Sequence, residues 1–185
     1  MQALFRIEET ALLWLQENLR GPILNGLMQL LSRLGDAGLL WIIVTLILLL
    51  HKKTRRTGVF CAASMLLTLL AVNVCIKPLV GRIRPYEVIE GLSILVAPHK
   101  DFSFPSGHSA NSFACAWVLF RRMQGKKRIL PVVLAAMISF SRLVVGVHYP
   151  SDVLAGAAIG IVLSECALRL PSWFKKAKDP IPPAR

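Results

Sequence analysis

The chain alternates long apolar runs with short polar breaks, and the runs differ in kind. Residues 3–19 set Leu4, Ile7, Ala11, Leu12, Leu15 and Leu19 at helical spacing, with Glu8, Glu9, Gln16 and Glu17 mostly opposite. That pattern predicts an amphipathic helix lying at a membrane surface. Gly21-Pro22 breaks it, and residues 22–34 form a second apolar helix that closes at Gly35-Asp36. At ~1.5 Å per residue this helix is barely long enough to cross a bilayer, so it is tilted, re-entrant or a thin first span. Residues 38–50 are almost wholly apolar and predict a transmembrane helix. Residues 58–80 are the longest apolar run, interrupted only by Asn73 and Lys77 near the far end. A polar loop occupies 81–105, and further helices are expected over 107–120, 129–147 and 153–170. The last carries Gly156 and Gly160, small residues spaced for close helix contact, either inside one bundle or between two copies. The expected organisation is an interfacial helix over 1–21, a helical membrane domain over 22–170, and a basic, proline-rich cytoplasmic tail over 171–185.

Composition sharpens this to an all-α, polytopic membrane bundle of about six helices. Of the 185 residues 55% are hydrophobic and only 17% charged, with a mean hydropathy of +0.58, which is too apolar for a soluble domain. The net charge of +12 could point to nucleic acid, but the cations gather in blocks beside apolar runs. These are residues 51–56, Arg121-Arg122 with 126–128, and Lys175, Lys176 and Lys178. Such blocks mark the cytoplasmic ends of membrane helices, and nucleic acid is not expected as a partner. The four cysteines, Cys61, Cys75, Cys115 and Cys166, lie inside apolar segments at no metal-ligand spacing and read as small buried hydrophobes. The N-terminus has acidic residues where a cleavable signal peptide would have basic ones.

With the three basic blocks on one side, the helices alternate without contradiction. The 81–105 loop, the helix start at Ser106 and the break at 148–152 then meet on the opposite, extracytoplasmic side. That mouth gathers Lys77, Arg82, Arg84, Ser106, Gly107, His108, Arg142, His148 and Asp152. Cations aimed at a helix N-terminus form an anion site, and a phosphoryl group suits both their charge and the fork of arginine. Ser106 is the expected N-cap, and Gly107 leaves backbone N–H groups unobstructed. Pro150 should open a helix, placing Asp152 one turn beyond His148. There its carboxylate can take the Nδ1 proton and leave Nε2 as a nucleophile. His108 would protonate the leaving oxygen and later activate water. Lys77, Arg84 and Arg142 would neutralise the phosphoryl oxygens.

Each feature alone has a plainer meaning. Lys77 can snorkel to an interface, Arg82 and Arg84 can touch headgroups, and Pro105-Ser106-Gly107-His108 can simply cap a helix. Asn73 is expected to make an interhelical hydrogen bond. A metal-dependent phosphatase would need several converging carboxylates, whereas the mouth offers Asp152 and only the loose candidates Glu87, Glu90 and Asp101. No metal and no cofactor is therefore expected.

Three motifs, Lys77-x6-Arg84-Pro85, Pro105-Ser106-Gly107-His108 and Ser141-Arg142-x5-His148-x3-Asp152, together resemble the signature of the type 2 phosphatidic acid phosphatase family, related to vanadium haloperoxidases. The resemblance covers about residues 57–170 and every motif position. It implies a helical bundle of about six helices, metal-independent hydrolysis of a lipid phosphate or diphosphate through a phosphohistidine, and vanadate sensitivity. It also implies the roles given above for His148, Asp152, His108, Lys77, Arg84, Ser106, Gly107 and Arg142. Among substrates, the compact chain resembles family members that recycle undecaprenyl diphosphate. Phosphatidylglycerophosphate or phosphatidic acid is the alternative, and a non-catalytic lipid-phosphate binder or transporter is the reading from another class. Oligomeric state is left open.

Overall fold

The computed structural model describes residues 2–176, with side chains to residue 169. The expected basic tail over 171–185 therefore lies outside the described residues, apart from the backbone to Lys176. All described elements are helical: α1 (Gln2–Leu19), α2 (Pro22–Gly35), α3 (Leu39–Leu50), α4 (Arg55–Leu69), α5 (Lys77–Val80), α6 (Pro85–Val88), α7 (Gly107–Arg122), α8 (Ile129–Val144) and α9 (Pro150–Lys176). A π-helical segment, Leu70–Ile76, joins α4 to α5, so the long apolar run expected over 58–80 is one rod with a widened turn. Among the described residues, three stretches are long and apolar enough to cross a membrane: Pro22–Leu50, Arg55–Val88 and Pro150–Arg169.

Helix α7 is the centre of the bundle and packs on α9, α8 and α4. Its sequence explains why. Ser109, Ala110, Ser112, Ala114, Cys115 and Ala116 are all buried, and such small side chains let three neighbours come close at once. Trp41, Phe60, Cys61, Val118, Leu119, Ala135 and Ile138 complete the main core, and Trp41 Nε1 donates to Ser112 Oγ at 2.9 Å.

The two glycines of α9 serve this bundle rather than a second copy. A Cβ on Gly156 would collide with the Ser106 carbonyl oxygen, and one on Gly160 with that of Ala110. Gly160→Val should therefore push α9 off α7 and cost about 1–3 kcal/mol of stability. Thermal unfolding in detergent, with wild type alongside, measures this.

Outward faces are apolar, as hydrocarbon requires: Leu39, Ile42, Ile43, Leu46 and Ile47 on α3, and Leu154 and Val162 on α9, are all exposed. This corrects the reading of the cysteines. Cys61 and Cys115 are buried, but Cys75 and Cys166 are exposed on these outer faces, where an apolar side chain needs no protein cover.

Helix α1 also departs from expectation. Leu4, Ile7 and Trp14 are exposed, while Glu8, assigned to the polar face, is only 2% exposed and shares the inner face with Leu12. The reason is a cation beneath it: Glu8 Oε2 accepts from Arg82 Nη2 at 2.6 Å, and Glu8 Oε1 accepts from the Ser151 N–H at 2.9 Å. A buried carboxylate is tolerated when it is paired in this way.

Candidate active site

The local chain geometry that builds the site starts at two helix openings. Pro150 opens α9, as its fixed φ favours, and Asp152 falls in the first turn. Ser106 is the N-cap of α7 and accepts from the Ser109 N–H, while its own N–H donates to the Asp152 carbonyl at 3.0 Å. The openings of α7 and α9 are thus tied together by backbone. Gly146, at φ 81°, makes the turn out of α8 that returns the chain to His148.

A cavity of about 320 Å³ opens beside these helix starts and is lined by Lys77, Arg84, His99, Asp101, Gly107, His108, Arg142 and His148, among others. Six of the eight residues predicted from sequence thus share one wall. The other two stand behind it: Ser106 and Asp152 are fully buried, the first as a cap and the second as the anchor of His148.

Asp152 is held more firmly than expected. Oδ1 accepts from Arg82 Nη1 at 2.6 Å; Oδ2 accepts from the Tyr149 N–H at 2.9 Å and from Ser103 Oγ. His148 Nδ1 lies 3.4 Å from both Asp152 Oδ2 and Ser103 Oγ. The imidazole therefore sits against a carboxylate–hydroxyl pair, rather than on a short bond to the carboxylate alone. Its Nε2 is 3.4 Å from Arg84 Nη1, on the cavity side. Burial, reinforced by Arg142, Arg84 and Lys77, pushes His148 well below the ordinary imidazole value, so the ring is neutral and Nε2 keeps its lone pair.

The cations form a rigid cradle. Arg84 is buried and donates from Nε to the Asp101 carbonyl at 2.9 Å, from Nη1 to the Val147 carbonyl at 2.9 Å, and from Nη2 to Asp101 Oδ1 at 2.6 Å. Lys77 Nζ pairs with Asp101 Oδ2. Although partial burial opposes it, Lys77 and Arg84 hold the Asp101 carboxyl well below the usual carboxylate range. Arg142 is 1% exposed and donates to Ser32 Oγ, and its Nη2 lies 2.6 Å from His99 Nε2. Its Nε has no acceptor among the described residues. A buried guanidinium N–H left without an acceptor is costly, and an anionic oxygen in the cavity would supply one.

His99 titrates in a way that can be checked. Burial, with Arg142 and Arg84 adding to it, pushes its imidazole from 6.5 down to about 4. Neutral His99 accepts from Arg142. The unfolded chain takes up the proton near 6.5 and the folded chain only near 4. The contribution to stability is thus complete above the first value and is lost as pH falls through the second. Thermal unfolding from neutral pH down to about 4 should show the decline. His99→Gln, which keeps an acceptor but no titration, should flatten it.

Against this geometry, comparisons with known proteins are consistent. A family model described as the PAP2 superfamily matches residues 58–176. The chain belongs to the PAP2 superfamily. It is 34% identical over 149 residues to an undecaprenyl-diphosphatase of Sulfolobus acidocaldarius, covering 80% of this chain and 71% of that one. It is 36% identical over 130 residues to a decaprenylphosphoryl-5-phosphoribose phosphatase of Mycobacterium tuberculosis, covering 70% and 71%. The crystal structure of a PAP2 type phosphatidylglycerolphosphate phosphatase from Bacillus subtilis superposes with a TM-score of 0.74 at 25% identity, over 98% of this chain and 90% of that one. The protein is a membrane PAP2 lipid phosphatase, a hydrolase.

Several site residues were not legible in the three PAP2 motifs. His99 and Asp101 come from the 81–105 loop, where a dense polar stretch, Pro98-His99-Lys100-Asp101, was the available signal. Ser103 lies between that stretch and the Ser106 cap and carried no signal of its own. Arg82, left open between headgroup and site, bridges Glu8 and Asp152 and lies 3.8 Å from the centre of the Tyr149 ring. Asn73 corrects its expectation: it lines the cavity beside Gly107 and makes no side-chain hydrogen bond among the described residues. The π turn that carries it adds a residue per turn, which re-aims side chains, and such turns recur at functional sites.

Proposed function

We propose that the protein hydrolyses an isoprenyl diphosphate, undecaprenyl diphosphate to the monophosphate and phosphate, on the extracytoplasmic face through a phosphohistidine. The observation that carries the chemistry is His148, neutral, backed by Asp152 and Ser103, with Nε2 facing a cavity lined by Lys77, Arg84 and Arg142. In the first step Nε2 forms a bond to the terminal phosphorus as the bond to the leaving oxygen breaks, and His108 gives that oxygen a proton. In the second, His108 takes a proton from water as the water oxygen displaces Nε2 from phosphorus. The cations offset charge on the phosphoryl oxygens throughout, and Gly107 lets the α7 N-terminus approach them. A phosphoryl group must compete with Asp101 for Lys77 and Arg84, so binding exchanges one anion for another.

Metal independence is part of the reading. Asp101, which lines the cavity, already pairs with Lys77 and Arg84, and the carboxylates near it are also partnered, Asp152 with Arg82 and Asp36 with His108. Two observations support the polyprenyl substrate and the face. Two of the three similar proteins named above act, by their names, on polyprenyl lipids. The basic blocks at the α3–α4 and α7–α8 turns lie at the helix ends away from the cavity, as cytoplasmic blocks do. The likeness to a phosphatidylglycerolphosphate phosphatase favours phosphatidylglycerophosphate as a second reading.

The test is phosphate release by purified protein in detergent with EDTA present, offering undecaprenyl diphosphate, phosphatidylglycerophosphate and phosphatidic acid in parallel. Fastest turnover of the diphosphate is expected. Preference for either phospholipid would overturn the substrate, and loss of activity with EDTA would overturn the metal-free chemistry.

A further inference from the structure

The general acid–base of this site has a carboxylate partner that the three motifs do not contain. Asp36 sits in the 3₁₀ turn Asp36–Gly38 between α2 and α3, and its Oδ1 lies 2.8 Å from His108 Nε2. It precedes residue 58, where the match to the family model begins. From these contacts we infer that Asp36 is the positioning residue of His108: it accepts the Nε2 proton, fixes the ring, and makes Nδ1 the atom that exchanges protons with the substrate and with water. The inference rests on the phosphatase reading of the site and adds a residue to it.

Four observations carry it. First, the ring is tied at only one nitrogen, since Nδ1 has no hydrogen-bond partner among the described residues and His108 lines the cavity. A carboxylate on one imidazole nitrogen leaves the other as the working atom, which is the relation between Asp152 and His148. Second, the turn presses on the ring itself. A Cβ added at Gly35 would come within 2.8 Å of His108 Cδ2 and 2.7 Å of Ile138 Cγ2, so only glycine lets Asp36 come this close. Third, the backbone is strained where Asp36 is presented. Ala37 has φ 51° and ψ 14°, a left-handed conformation that is unfavourable for a residue with a Cβ. Fourth, both flanks are pinned: Ser32 of α2 accepts from Arg142, and Trp41 of α3 donates to Ser112, one turn along α7 from His108. A strained turn held on both sides fixes Asp36 relative to the ring.

In the forward step the His108 imidazolium, its Nε2–H donated to Asp36, passes the Nδ1 proton to the leaving oxygen as the P–O bond breaks. The ring becomes neutral with a lone pair on Nδ1. In the second step Nδ1 takes a proton from water while the water oxygen bonds to phosphorus and the P–Nε2 bond to His148 breaks, which restores the imidazolium. Asp36 stays ionised throughout and stabilises the charged ring.

The leaving group separates this role from a structural one. Asp36 has a side chain 54% exposed, so its removal leaves the core intact. Steady-state kcat/KM is measured for wild type, Asp36→Ala, Asp36→Asn, His108→Ala and the Asp36→Ala/His108→Ala double variant, on phosphatidic acid and on p-nitrophenyl phosphate. An alkyl leaving oxygen needs the proton, whereas a nitrophenolate leaves without it. Both Asp36 variants are expected to lose about tenfold or more on phosphatidic acid and to stay within about twofold of wild type on the aryl ester. The double variant should be no worse than His108→Ala alone. Equal losses on both substrates, no loss on either, or additive losses in the double variant would overturn the role of Asp36 while leaving the phosphatase reading in place. Wild-type release from undecaprenyl diphosphate is measured alongside, and its absence there and from both esters would overturn that reading and this inference with it.

Discussion

Replacing His148 with alanine is expected to lower turnover by about 10⁴-fold or more, because it removes the group that bonds to phosphorus. The fold should survive. Asp152 keeps Arg82, Ser103 and the Tyr149 N–H, and Arg84 keeps the Val147 and Asp101 carbonyls, so no buried charge is stranded. The cost is a cavity the size of an imidazole, a loss that a well-packed bundle tolerates. Circular dichroism and gel filtration in detergent verify folding, and phosphate release gives the rate. A folded His148→Ala protein that still released phosphate at a rate near wild type would remove the phosphohistidine from the mechanism. Quenching wild type during turnover in alkaline detergent, with labelled substrate, should show phosphate on the chain that survives base, is lost in acid, and is missing from the variant.

The second large effect is expected at Arg84, even for the substitution that keeps its charge. Arg84→Lys should lower kcat/KM by about 100-fold. The guanidinium spends its three nitrogens on the Asp101 carbonyl, the Val147 carbonyl and the Asp101 carboxylate, and the same Nη1 that bonds Val147 faces His148 Nε2. A lysine ammonium is a single point and cannot fix the 98–103 stretch, the approach to His148 and the phosphoryl oxygens together. Lys77 shows the contrast, since among the described residues its side chain bonds only Asp101, through one nitrogen. If Arg84→Lys retained wild-type kcat/KM, the fork would be a structural clasp for the loop and charge alone would serve the phosphoryl group.

How far the sequence reached can be seen residue by residue. Gly107, His108, Arg142, His148, Lys77 and Arg84 line one cavity, as their placement around helix starts at one end of the membrane predicted. Pro150 and Ser106 opened the helices they were expected to open. These are local rules: a proline with fixed φ, a hydroxyl capping N–H groups, apolar runs of membrane length. Fold class followed for the same reason, because hydrocarbon leaves an apolar run little choice but to satisfy its own backbone as helix.

Where the sequence fell short, the deciding partner was distant along the chain. Glu8 was assigned by helical spacing to the polar face opposite the apolar stripe of α1, yet Arg82, far along the chain, draws it inward. Cys75 and Cys166 look like core residues in an apolar run, but the run has two faces and only packing tells which one meets lipid. Asn73 is turned into the cavity by a π turn that no residue type announces. Asp101 and His99 are ordinary loop residues until Lys77, Arg84 and Arg142 surround them. By itself, then, the sequence determined the helical membrane bundle, its cationic mouth and the two histidines, since all three follow from hydropathy, caps and spacing within a few turns. Beyond the local pair of His148 with Asp152, only the tertiary structure decided which carboxylate serves which cation or imidazole, because the partners of Glu8, Asp36 and Asp101, and Arg82 at Asp152, come from segments whose approach is set by the packing of α7 against its neighbours.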